Sequence, residues 1–80
     1  MTNARAGSLI TDAAGWARRC RIEAVRAIHP MTKAFLLELA AECEALSGEA
    51  VSLDPDDLDL QNAVADRLSA LAARRKAWLG

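Results

Sequence analysis

Residues 30–48 read PMTKAFLLELAAECEALSG, and their reading decides the fold. Pro30 carries no amide hydrogen and a fixed φ, which suits the first position of a helix. Gly48 supplies a C-terminal stop. Between them Phe35, Leu36, Leu39, Ala40, Cys43 and Leu46 recur at intervals that place them on one face at about 100° per residue. Leu37 points elsewhere. The spacing predicts a helix from Pro30 to about Ser47.

Working toward the N-terminus, Pro30 disfavours helical geometry at His29, so any preceding helix must stop there. Leu9, Ile10, Ala13, Trp16, Ala17, Cys20, Ala24, Ala27 and Ile28 share a face, which predicts a first helix from about Leu9 to Ile28. Ser8 is its expected N-cap, and Asp12 sits in the first turn, where a negative charge suits the helix dipole. Residues 1–7, MTNARAG, carry no apolar period and read as a flexible N-terminus, leaving 8–80 as a single helical domain. Only one or two residues separate the first two helices. They must fold back as an antiparallel hairpin or meet at a sharp angle. In a hairpin Cys20 and Cys43, nearly equidistant from the turn, become neighbours in the seam. The charges favour that pairing: residues 1–29 are net +3, residues 30–54 net −4 and residues 55–80 neutral.

Toward the C-terminus, GEAVSL at 48–53 is a short connection, followed by LDPDDL at 53–58. Asp54 reads as a cap, Pro55 as the first helical residue, and Asp56 and Asp57 as first-turn acids. Leu53 and Leu58 have the spacing of a hydrophobic staple. The third helix is expected from about Pro55 to Trp78, with Leu60, Val64, Leu68, Leu71, Arg75 and Trp78 on one stripe. Arg74, Arg75 and Lys76 meet the exposed carbonyls of its last turns.

The composition agrees with an all-α three-helix bundle. Eighty residues, 52% apolar, hold eighteen alanines, eleven leucines and no tyrosine. Few β-branched residues and two prolines argue against strands. So alanine-rich a chain buries little area alone, and self-association into a helical homodimer would bury more. A net charge of −1 argues against coating nucleic acid. No run of about 18 apolar residues is present to span a membrane, and the N-terminus lacks the hydrophobic centre of a secretory signal. Two cysteines are too few for a disulfide scaffold, which points to a reducing cytoplasm.

Candidate chemistry is sparse. His29, the sole histidine, has no local nucleophile or orienting acid and reads as a capping or solvent-facing residue. Cys20 and Cys43 lack metal-site spacing and lie on apolar faces, where a thiol packs as a small hydrophobe; a bridge is the alternative. Asp54, Asp56, Asp57 and Asp59 resemble part of a calcium loop. The loop's central glycine is missing, and Ala65 stands where its bidentate glutamate belongs. Trp16 and Trp78 lie on apolar stripes and read as core or interface anchors. Arg18, Arg19, Arg21 and Arg26 form a basic stripe that Arg5, Arg74, Arg75 and Lys76 could extend. Ile22 projects from the centre of that side, with Val25 nearby. Apolar residues among arginines are either ordinary surface or a partner-binding patch.

Residues 16–46, WARRCR…HPMTKAFLLELAAECEAL, resemble a group of short bacterial helical-hairpin proteins without an established activity. The shared pattern is an R-x-C/L-R segment, a proline-containing loop and a second helix matched by Leu36, Leu37, Leu39, Ala40, Glu42, Glu44 and Leu46. Cys43 stands where the group usually carries an aromatic. The resemblance covers about two-fifths of the chain. It implies a bacterial or phage-borne cytoplasmic hairpin and assigns no chemistry.

Together these readings point to a non-catalytic interaction module, an adaptor, regulator or inhibitor with no cofactor and no metal. It would present Arg18, Arg19, Ile22, Val25 and Arg26 to another protein. The alternative is a nucleic-acid accessory protein using the basic stripe.

Overall fold

The computed structural model describes residues 4–54 and 56–79, with side chains from Gly7 onward. It contains three helices, α1 (Ala4–Arg26), α2 (Pro30–Val51) and α3 (Leu58–Leu79), and no strand among the described residues. They form a rod of 46 × 18 × 14 Å. The helices α1 and α2 are an antiparallel hairpin, and α3 lies along it, parallel to α1.

The hairpin forms because its two faces are complementary in size. From α1 come small residues, Ala13, Ala17, Cys20 and Ala24, all buried. From α2 come Leu36, Leu39 and Leu46 with Ala40, Cys43 and Ala50 between them, also buried. Large side chains packed over small ones fill the seam at close approach. The alanines that looked like a weak core are what lets the leucines in. Leu9, Ala13, Ala17, Cys43, Leu46, Ala50, Val64 and Leu68 make one cluster, and Cys20, Ala24, Leu36, Leu39 and Ala40 a second. Leu71 packs against both.

Several boundaries differ from the sequence expectation, each for a local reason. The first helix begins at Ala4, so Ser8 lies inside it and its hydroxyl faces Asp12 (3.4 Å) rather than capping. It ends at Arg26, two residues early, because residues 27–29 leave the helix to make the turn. Ile28 is therefore off the seam and 97% exposed. His29 takes the extended geometry that a following proline favours, φ −81° and ψ 126°, and its carbonyl accepts from the Lys33 amide (3.0 Å) to start α2. Its side chain makes no capping bond. Gly48 does not stop α2, which continues to Val51 because Ala50 extends the buried stripe by one more turn.

The start of α3 is the largest correction. Asp57, not Asp54, caps it: the Asp57 carboxylate accepts from the Leu60 amide (3.0 Å), and its carbonyl accepts from Gln61 (3.2 Å). Asp54 instead closes the preceding turn, its carboxylate accepting from the Asp56 amide (2.9 Å). The expected role of Pro55 lies outside the described residues. Leu53 packs on the core, while Leu58 is exposed, so the two make no staple. Leu60, expected inside, is exposed. Gln61 is buried in its place, 1% accessible, and donates to the Asp54 carbonyl (3.3 Å). A polar residue takes this position because it ties the loop to the helix it precedes.

Candidate interaction surface

Trp16, Arg19, Cys20 and Glu23 lie where the C-terminal half of α1 faces α3. Arg75 reaches in from α3, and its Nε donates to Glu23 (2.7 Å), with a second guanidinium contact to the same carboxylate. Its carbon centre is 5.4 Å from the Trp16 ring, and that of Arg19 is 5.3 Å from the same ring. The bond from Arg75 holds the Glu23 carboxyl below its ordinary range, and Glu23 in turn raises Arg75. The expected apolar stripe of α3 thus includes one half-buried cation with its partner. At the turn end Trp78 stacks on Phe35, centroids 4.3 Å apart, and its indole N–H donates to the Thr32 hydroxyl (3.3 Å).

The two thiols are buried and free. They lie close enough for the charge on one to oppose ionisation of the other. Burial raises the Cys20 pKa and takes Cys43 to about 11. Both belong to the seam as hydrophobes, and this environment does not make a thiolate nucleophile. His29 is exposed at the turn. Among the described residues no group of three or more His, Cys, Asp or Glu side chains could hold a metal, and no helix is long and apolar enough to cross a membrane.

The structure places Arg18, Arg19, Ile22, Val25 and Arg26 together on one exposed face of α1. At 100° per residue they span about 120° of the helix circumference, centred opposite the seam line through Leu9, Ala13, Ala17, Cys20 and Ala24. Ile22 is 45% exposed and Val25 79%. Among the described residues no carboxylate pairs with Arg18 or Arg26, whereas Arg21, on the flank of this face, bridges to Glu44 of α2.

The C-terminal cations do not simply lengthen the stripe. Arg74 is drawn to Glu42 (3.3 Å) and Arg75 to Glu23, leaving Lys76 exposed. The side chain of Arg5 lies outside the described residues. Folding instead sorts charge along the rod, which segment-by-segment reading missed. The half containing the α1–α2 turn (residues 18–40 and 69–79) gathers Arg18, Arg19, Arg21, Arg26, Lys33, Arg74, Arg75 and Lys76 against Glu23 and Glu38. In the other half, among the described side chains, Arg67 stands with Asp12, Glu49, Asp54, Asp56, Asp57, Asp59 and Asp66, while Glu42 and Glu44 lie near the midpoint and pair across it with Arg74 and Arg21. A near-neutral chain is thus strongly polarised end to end.

No family model, no curated protein and no solved structure matches the chain.

Proposed function

We propose that this protein is a non-catalytic interaction module, a small adaptor, regulator or inhibitor that offers the outward face of α1 to another protein. One observation carries the reading. Ile22 and Val25 stand exposed among Arg18, Arg19 and Arg26, on a helix whose opposite face is held in the hairpin seam. A rigid helix with apolar residues at i and i+3, flanked by guanidiniums, is suited to an acidic partner surface with an apolar centre. The basic half of the rod attracts such a partner before contact, and the attraction weakens with salt.

The test is the double charge reversal Arg19→Glu with Arg26→Glu, checked by circular dichroism for an intact fold. Capture from the native host is then compared between wild type and variant by quantitative mass spectrometry. The reading expects the captured protein to be lost. Capture at wild-type level by a folded variant would sink it.

A further inference from the structure

We propose that, in the isolated protein, the outward face of α1 is covered by the same face of a second copy lying antiparallel to it. This rests on the reading of that face as a docking surface and adds its occupant.

The face has two unlike halves. Its C-terminal half is bulky and basic: Arg18, Ile22, Val25 and their neighbours. Continued toward the N-terminus, the same face presents Thr11, Ala14 and Gly15, all exposed. There Thr11, Asp12, Gly15, Trp16 and Arg19 line a shallow hollow of ≈ 240 Å³. The protein's own packing does not require Gly15: a Cβ built there meets nothing within 4 Å. Glycine within a helix is nonetheless less stable than alanine there. The hollow suits the aliphatic side chains that the other half of the same face exposes.

Charge selects the direction. A parallel pair of rods sets like ends together. An antiparallel pair sets the cationic half of each copy on the anionic half of the other, twice, about a two-fold axis. Arg19 and Arg26 fall within about 40° of Asp12 around the helix axis. An antiparallel two-fold keeps that edge on one side of the interface, so the arginines of each copy run along the rim that carries Asp12 of the second copy. Shape and charge therefore meet on a single face, and a second copy of this chain satisfies both halves at once.

Sedimentation equilibrium on the full chain over a wide concentration range tests this. The mass should rise from the 8.6 kDa of one chain toward twice that value. Gly15→Gln places a good helix former in the hollow. It should weaken self-association at least about tenfold, with helicity unchanged or raised, and with melting temperature unchanged or raised at concentrations where both chains are monomeric. Asp12→Arg should also weaken it, and combining Asp12→Arg with Arg19→Glu and Arg26→Glu should restore it. A wild-type chain that stays monomeric throughout overturns the inference. So does a dimer that Gly15→Gln leaves intact. Either result leaves the helix-face reading to its own capture test, and a dimer that passes here while capture survives the Arg19 and Arg26 reversal breaks that reading instead.

Discussion

The α1–α2 hairpin and α3 are held by different physics. In the hairpin, buried leucines of α2 sit over buried alanines and Cys20 of α1, and the contact runs nearly the full helix length. The third helix buries only Gln61, Val64 and Leu68. Ala65 and Leu71 add partly buried apolar contact, and the rest of its attachment is polar or aromatic: Arg67 to Glu49 (2.9 Å), Arg74 to Glu42, Arg75 to Glu23, and the Trp78–Phe35 stack. Apolar burial does not titrate and is not screened by salt, whereas exposed ion pairs are screened and contribute little. The comparison teaches that the hairpin is the stable unit of this protein and α3 the more conditional one.

That contrast can be broken by substitution. Leu39→Ala should have the largest effect, a loss of about 2–5 kcal/mol in chemical denaturation, because the rigid seam collapses poorly around the cavity. Leu68→Ala on α3 should fall at the low end of the same range, and equal losses at the two sites would erase the distinction. Next comes Glu23→Gln, expected to cost about 1.5–3 kcal/mol at neutral pH, since it removes the partner of a half-buried guanidinium. It should also change the pH profile. The folded-state pKa of Glu23 is depressed, so the stability it contributes is fully present above its ordinary value of 4.5 and is lost as pH falls through the folded value. The variant should lack that part of the acid slope in thermal melts between neutral and acid pH. Smallest is Arg67→Ala, whose ion pair with Glu49 is about half exposed. It should cost less than about 1 kcal/mol, and a larger loss would show α3 clasped more firmly than its burial implies.

Much of this was legible in the chain. Phe35, Leu36, Leu39, Ala40, Cys43 and Leu46 share the packed face of α2, and Leu9, Ala13, Ala17, Cys20 and Ala24 line the seam of α1, as the helical period predicts. The exposure of Ile22 and Val25 follows from the same period, because they sit opposite the seam. What misled were residues whose role depends on where another element lies. Asp54 and Asp57 are equally good caps in isolation. Docking of α3 decides between them, and it buries Gln61 while leaving Leu60 outside. Gly48 reads as a stop until Ala50 finds a place against α1 and carries the helix past it.

By itself, then, the sequence determined three amphipathic helices and the proline-marked reversal between the first two, because helical phase is a local property repeating every 3.6 residues or so. Only the tertiary structure decided which charges share an end of the rod. Arg18 through Arg26, Lys33 and Arg74 through Lys76 are far apart along the chain. They converge because alternate helices run in opposite directions, which brings the end of α1, the start of α2 and the end of α3 to one place.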